Sequence, residues 1–389
     1  MNYLMDNFAR VNVALVRGEG SIVYDEAGKD YVDFGAGIGV NCLGHANEIV
    51  LEAIGTQAAQ IIHGSNIYRI LPQEALAQKI SELLGYRTYA VFCNSGAEAN
   101  EAAIKMARKY GTVNFPNKKF EILTLRNSFH GRTLATLQAT GQEKFHPEIF
   151  APYMPGFKFF DDIEEIIAHI DENSVAVMIE LVQGEGGIKP LDKASVQKLA
   201  AVLKEKKLLL ITDEVQCGVY RTGEFATSQI YGIRPDIITF AKGLAGGVPI
   251  GACVAQQNIF APGEHGSTFG GNFLATSTAL AVLSQLQFLK ASGKLDKTIK
   301  RFIKKLDAIA ADYPSLIEKR VGLGLMQGLV LRDEKNLGEI FNKALQNGLL
   351  ILKSGKRTLR FLPALNIKKP EIKEGFARLR KSLDEIARA

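Results

Sequence analysis

Asp213 and Lys242 are the two residues whose types and positions most suit shared chemistry. Leu208-Leu209-Leu210-Ile211-Thr212 runs into Asp213, and Ile237-Ile238-Thr239-Phe240-Ala241 runs into Lys242. Each apolar run reads as a buried strand. Each charge therefore falls at the carboxyl end of a strand, the edge at which open parallel sheets bind ligands. A buried carboxylate or ammonium without a partner is costly, so two of opposite sign at two strand ends point to a common ligand. A lysine partly desolvated there loses its proton more readily and becomes a nucleophile toward a carbonyl. A carboxylate there can keep a heterocyclic nitrogen protonated through a charge-assisted hydrogen bond.

Other segments supply matching groups. Asn94-Ser95-Gly96-Ala97-Glu98-Ala99-Asn100 follows a strand and opens a helix, so the unpaired amides at Gly96 and Ala97 can meet an anion, with Ser95 as a cap. Phe129-His130-Gly131-Arg132-Thr133 offers an aromatic face for a flat ring and, in Arg132, a two-pronged carboxylate clamp. Glu180 ends a strand over 175–179, and the glycine-rich stretch Gln183-Gly184-Glu185-Gly186-Gly187 follows it. Val215 and Gln216 come directly after Asp213-Glu214, with Gln216 able to reach a ring hydroxyl. Ser267 and Thr268 lie in a glycine-containing loop suited to an anion. Each segment alone would serve equally as an ordinary turn, a cap or a core aromatic. An amine, an acid, a stacking ring and an anion cradle together describe the needs of pyridoxal 5′-phosphate, whose aldehyde takes a lysine and whose ring nitrogen takes an acid.

Two look-alikes do not survive inspection. Gly35-Ala36-Gly37-Ile38-Gly39-Val40 has Val40 at the third glycine position of a dinucleotide fingerprint, and near Gly355-Lys356 a phosphate-loop pattern lacks its first glycine, with Leu350 there, and its hydroxyl residue, with Arg357 there.

The elements around these groups alternate. Short strands surround a turn within 20–34. From residue 73 helix-like spacing over 74–84 and 97–110 is interleaved with apolar strands at 91–93, 122–125, 175–179 and 208–212. Such alternation predicts an α/β fold whose mostly parallel sheet is covered on both faces. Beyond residue 290 the texture changes. Leu295, Phe302, Leu306 and Ile309 form one helical stripe, Leu337, Ile340 and Ala344 another, and Ile372, Phe376, Leu379 and Leu383 a third, with short strands near 325–331 and 359–362. The expected division is a large ligand-binding α/β domain over 51–285 and a smaller α+β domain made of 1–50 with 286–389.

Composition narrows the function. A chain of 389 residues that is 47% hydrophobic can bury a sizeable core, and a net charge of +6 is modest, with lysines and acids interleaved on helix faces. No basic run alternates with aromatics, so no nucleic-acid role is expected. No stretch approaches a membrane span and the amino terminus lacks a leader pattern, so the expectation is a soluble, cytoplasmic protein with no membrane partner. The four cysteines are scattered without a Cys-x-x-Cys, and the six histidines show no metal-ligand spacing; no metal site is expected.

Over nearly its whole length the chain resembles the class III, fold type I, pyridoxal-phosphate aminotransferases, through segments 33–44, 94–101, 129–133, 180–187, 213–216, 242–247, 267–272 and 360–365. It is most similar to the branch that acts on N2-acetyl-L-ornithine. The resemblance implies a seven-stranded-type sheet. It makes Lys242 the lysine that carries the cofactor and Asp213 the partner of its ring nitrogen, with Glu180 beside them in the catalytic group. Ser95, Gly96 and Ala97 would hold the phosphate. Phe129 and Val215 would flank the ring, and Gln216 would reach its hydroxyl. Thr268 would reach the phosphate of a neighbouring subunit, making a homodimer with interfacial active sites. Arg132 and Ser267 would bind the acetylated substrate. Arg360 would take the α-carboxylate of glutamate or 2-oxoglutarate, and Glu185 would pair with Arg360 when no carboxylate is present. The implied reaction moves the δ-amino group of N-acetylornithine to 2-oxoglutarate, a step of arginine synthesis. Activity on ornithine, succinyl-diaminopimelate or 4-aminobutyrate, glutamate-semialdehyde aminomutation, and a non-catalytic ligand-binding role are the alternatives. Two departures from the family pattern, Leu181 after Glu180 and Ala46-Asn47 after His45, fall beside the motifs.

Overall fold

The computed structural model describes residues 3–387. Its centre is a seven-stranded sheet in the order Tyr89–Cys93, Gly251–Ala255, Ile237–Phe240, Leu209–Asp213, Ser174–Ile179, Glu121–Leu125, Phe157–Phe160. Gly251–Ala255 runs antiparallel to both neighbours, and the remaining pairings are parallel. The α/β class with a mostly parallel sheet is the architecture that the alternating sequence pattern requires. Ser174–Ile179 and Leu209–Asp213 are buried at every position, which is why they read as unbroken apolar runs rather than as alternation.

This topology makes the strands of Asp213 and Lys242 hydrogen-bonded neighbours. Asp213 pairs in register with Thr239, three residues before Lys242. The strands Tyr89–Cys93, Glu121–Leu125 and Ser174–Ile179 deliver Asn94, Phe129 and Glu180 to the same edge.

A four-stranded antiparallel sheet of Ile317–Leu323, Met326–Leu331, Thr358–Phe361 and Leu352–Ser354 is backed by the helices Lys294–Asp312 and Lys335–Gln346, and the helix Lys369–Ala387 packs against both of them. Their predicted apolar stripes are the faces that become buried. Near the amino terminus, Leu15–Glu19, Ile22–Asp25 and Asp30–Asp33 form a second small sheet, completed by Leu349–Leu350 lying parallel to Asp30–Asp33. Phe34, Phe302, Phe361 and Phe376 pack together with Phe34–Phe302 and Phe302–Phe376 centroids 5.1 and 5.0 Å apart, tying the amino-terminal segment to the carboxyl-terminal helices. The first two and last two residues of the expected small domain lie outside the described residues. The four cysteines are free and buried, and no helix among the described residues is long and apolar enough to cross a membrane.

Candidate active site

A cavity of about 500 Å³ opens at the carboxyl edge of the central sheet, lined among others by Ser95, Gly96, Phe129, Arg132, Asp213 and Lys242. Its size suits a cofactor-sized molecule. Ala97, Glu180, Val215 and Gln216 also line it.

Lys242 opens a short 3-10 turn, Lys242–Ala245, immediately after its strand, with a backbone φ of 43°. Such a left-handed conformation in a non-glycine residue costs about 1–3 kcal/mol and is found where the surroundings over-determine it. Among the described residues no acceptor takes a hydrogen bond from its ammonium. Burial pushes the lysine below its ordinary range, and Arg360 adds to this while Glu185, Asp213 and Glu180 oppose it.

Asp213 is fixed from three sides. Its Oδ2 accepts from Asn100 Nδ2 at 2.7 Å and from His130 Nδ1 at 2.8 Å, and its Oδ1 accepts from the Val215 amide at 3.0 Å. Asn100 is itself held, since Thr239 donates to its Oδ1 at 2.7 Å and its Nδ2 also meets the His130 carbonyl at 2.7 Å. Glu180 accepts the amides of Phe129 at 2.9 Å and Gly184 at 3.1 Å, tying the loop that carries Phe129 to the glycine-rich stretch. Burial pushes the Glu180 carboxyl up to about 7. His130 and the two amides oppose that rise, and Asp213 adds to it.

The helix Gly96–Asn114 points its amino terminus at the cavity, capped by Ser95, which accepts from the Glu98 amide at 3.2 Å. The amides of Gly96 and Ala97 find no acceptor among the described residues, so they remain available to an anion. Gly96 is required by packing: a Cβ there would lie 2.6 Å from Val215 Cγ1.

Arg360 is buried, and its Nη1 donates to Glu185, to Gln216 Oε1 at 3.1 Å and to the Gly184 carbonyl at 3.3 Å. Its Nε is buried without a partner. A Cβ on Gly184 would sit 2.3 Å from Gln216 Nε2, so glycine is what lets this knot close. Arg132 is exposed at the cavity, its guanidinium 4.9 Å from the Phe145 ring centroid and 6.0 Å from that of Phe129, with no ion pair among the described residues.

The structure therefore gathers Lys242, Asp213, Glu180, Ser95, Gly96, Ala97, Phe129, Val215, Gln216 and Arg132 around one cavity, with Arg360 and Glu185 joined to it through Gln216. Ser267 and Thr268 stand apart. The Ser267 hydroxyl accepts from the Gly270 amide at 3.0 Å and from Asn94 Nδ2 at 3.1 Å, and Thr268 is exposed. Sequence reasoning gave no role to His130, Asn100 or Thr239. Asn100 lies one turn beyond Gly96 in the same helix, a spacing that places both on one face; that was the available signal. Three features fit pyridoxal phosphate: an ammonium and two helix-start amides that find no acceptor among the described residues, and a fixed carboxylate on the same cavity.

Comparison with known proteins agrees with this geometry. The sequence model of the family "Aminotransferase class-III" matches residues 5–383. The acetylornithine aminotransferase of Wolinella succinogenes is 49% identical over 386 residues, covering 99% of this chain and 98% of that protein. An ornithine aminotransferase structure from Toxoplasma gondii, with partial occupancy of pyridoxal phosphate at its active site, superposes with a TM-score of 0.92 at 29% identity, covering 99% of this chain and 92% of that one. N-acetylornithine aminotransferase from Stenotrophomonas maltophilia superposes with a TM-score of 0.82 at 32% identity and covers 97% of each chain.

Proposed function

The chain belongs to the class III aminotransferases, enzymes that work with pyridoxal 5′-phosphate, and from that premise we propose that it moves the δ-amino group of N2-acetyl-L-ornithine to 2-oxoglutarate, giving N-acetyl-L-glutamate 5-semialdehyde and L-glutamate. The observation that carries the reaction type is the unpartnered Lys242 ammonium in one cavity with the triply hydrogen-bonded Asp213. The near-full-length likeness to an acetylornithine aminotransferase supports the substrate.

When bound, the cofactor supplies an aldehyde that captures amines and a ring that accepts the electron pair left when a substrate carbon loses its proton. Everything else falls to the chain. Lys242 would anchor the cofactor, since desolvation favours its neutral, nucleophilic form. Displaced by the substrate amine, Lys242 Nζ would then take the proton from the substrate carbon and return it two atoms away, in a 1,3-proton shift. Asp213 would hold the proton on the ring nitrogen, and Gln216 would donate to the ring hydroxyl through the amide nitrogen that Arg360 leaves free. Phe129 and Val215 would flank the ring. Gly96 and Ala97 amides would take the phosphate, helped by Ser95. Glu180 would keep Phe129 aligned through its backbone.

The two half-reactions present different anions to one pocket. Arg132, without an ion pair among the described residues, would take the carboxylate of N-acetylornithine, with Ser267 contributing to the acetylated substrate. Arg360, held by Glu185 in the first half-reaction, would exchange that partner for the α-carboxylate of 2-oxoglutarate or glutamate in the second. A homodimer supports both. Thr268 is exposed rather than on its own chain's cavity, and beside it Phe269, Ile67, Tyr68 and Leu71 are exposed apolar side chains, consistent with coverage by a second subunit whose phosphate site Thr268 would complete. A cytoplasmic setting suits four buried free thiols, and the separation of the central sheet from the two small ones supports a division into a 51–285 domain and a 1–50 with 286–389 domain.

The deciding experiment compares kcat/KM for N-acetylornithine, ornithine, succinyl-diaminopimelate and 4-aminobutyrate with 2-oxoglutarate as acceptor, alongside borohydride reduction and mapping of the modified peptide. N-acetylornithine is expected to lead and Lys242 to carry the adduct. Ornithine ahead by about tenfold would overturn the substrate, and no adduct at Lys242 would overturn the mechanism.

A further inference from the structure

A second depression, of about 800 Å³, lies beside the cavity and has no role in the reaction described so far. Its wall carries six cations, Arg126, Lys144, Lys189, Lys319, Lys356 and Arg357, against two acids, Glu143 and Glu185. The cations are not all spent. Arg126 pairs with Asp161 at 3.1 Å, and Lys319 and Arg357 share Glu318. Lys144, Lys189 and Lys356 have no acid within ion-pair distance among the described residues. Glu185, one of the two acids, is already paired with Arg360.

The depression and the cavity share their partition. Glu185 is 28% exposed while its partner Arg360 is 4% exposed, so the carboxylate faces the basic depression and the guanidinium faces inward. Thr358, on the wall, and Arg360 are two residues apart on the strand Thr358–Phe361, which puts both side chains on one face of the sheet. Asn127 and Gly186 on the wall belong to the same loops that deliver Phe129 and Gly184. Thr358 thus stands on the strand between the depression and Arg360.

We propose that this basic depression is a collecting site for dicarboxylates, binding 2-oxoglutarate or glutamate weakly and feeding it to Arg360. The inference rests on the proposed function. The two substrates differ in the property the depression selects. 2-Oxoglutarate is a dianion, whereas N-acetylornithine carries one carboxylate and one ammonium and has no net charge. A concave surface of one sign raises local substrate concentration and on-rate for a counter-charged ligand and does little for a neutral one.

The test separates the half-reactions by single turnover on holoenzyme, at ionic strengths of about 0.01 and 0.15 M, where the Debye length falls from about 30 to 8 Å. For K144E/K189E/K356E, the second-order constant for 2-oxoglutarate is expected to fall about tenfold at low salt, and its salt dependence to flatten. The constant for N-acetylornithine should stay within about twofold, which also reports that the variant is folded. K144Q/K189Q/K356Q should lie between, and decides the matter if the reversed variant does not fold. A 2-oxoglutarate constant unchanged at low salt, or equal losses for both substrates, would overturn the collecting site. A wild-type enzyme that does not use 2-oxoglutarate would instead sink the proposed function.

Discussion

His130 Nδ1 lies 2.8 Å from Asp213 Oδ2, with the imidazole sealed from solvent and the carboxylate 4% exposed. The second ring nitrogen of His130 is 3.3 Å from Thr124 Oγ1, so the imidazole is held at both ends. Asp213 is therefore aimed by a side chain that is itself sealed from solvent. Hydrogen bonds to charged groups contribute about 1.5–3 kcal/mol, which is roughly 10–100-fold in an equilibrium constant. His130→Ala should weaken pyridoxal phosphate retention by about that factor and shift the pH dependence of the bound cofactor's absorption. His130→Asn, whose amide nitrogen can replace Nδ1, should recover much of both. Equal cofactor dissociation constants for wild type and His130→Ala would reduce the contact to space filling.

Glu185 and Arg360 predict a split in substrate response. Under the proposed function the pair would have to open to admit an α-carboxylate, so Glu185 would compete with the second substrate. Removing the acid by Glu185→Ala frees Arg360. The KM for 2-oxoglutarate should fall by about tenfold, within the range of one charge-assisted hydrogen bond, while N-acetylornithine, facing an uncompensated buried cation, should bind less well. Steady-state kinetics with each substrate varied in turn checks this, and parallel changes in both KM values would contradict the competition.

Gly96 predicts a packing conflict that can be cured. An added Cβ would sit 2.6 Å from Val215 Cγ1 and 2.9 Å from Cγ2. Gly96→Ala should lower thermal stability by about 1–3 kcal/mol and displace the amide proposed to hold the phosphate. Trimming the opposing residue in Gly96→Ala/Val215→Ala should restore stability beyond the sum of the single effects, the sign of direct coupling in a double-mutant cycle. Simple additivity would place the cost elsewhere.

Much of this was legible in the chain because parallel strands buried on both faces leave unmistakable apolar runs. The runs before Asp213 and Lys242 locate the sheet edge at which the cavity opens without any structure. The terminal helices were equally plain, since Phe302, Ile340 and Phe376 sit on single stripes. The helix Phe273–Ala291 was not, because its small and apolar residues contact neighbours on several sides and leave no polar face to mark a period. The strand Gly251–Ala255 is rich in small residues and antiparallel, so it lacks the large-residue apolar run of the strands before Asp213 and Lys242. Asn100 and His130 were hidden for another reason. Their significance lies in converging on Asp213 from residues far away in sequence, and that is a property of the fold rather than of any local pattern.

Glu214, next to Asp213, turns to the opposite side of the chain and is fully buried. It accepts the amide of Thr227 and, at 2.9 Å, that of Ser228, at the start of the helix Thr227–Tyr231. Burial pushes its carboxyl up to about 7 from an ordinary 4.5, against the opposing pull of those donors. A carboxyl raised in the folded state favours folding while it is protonated in both states, below its unfolded value. That advantage is lost as pH climbs from about 4.5 and is gone above about 7, leaving a penalty of ~3 kcal/mol at ~1.4 kcal/mol per pKa unit. Glu214→Gln mimics the protonated form and cannot ionise. The stability of the variant relative to wild type should therefore rise between pH 5 and 7 and level off by pH 8, as read from denaturant midpoints, even if the amide packs less well at pH 5. A difference that stays flat across that interval would mean that Glu214 is not carried protonated in the fold.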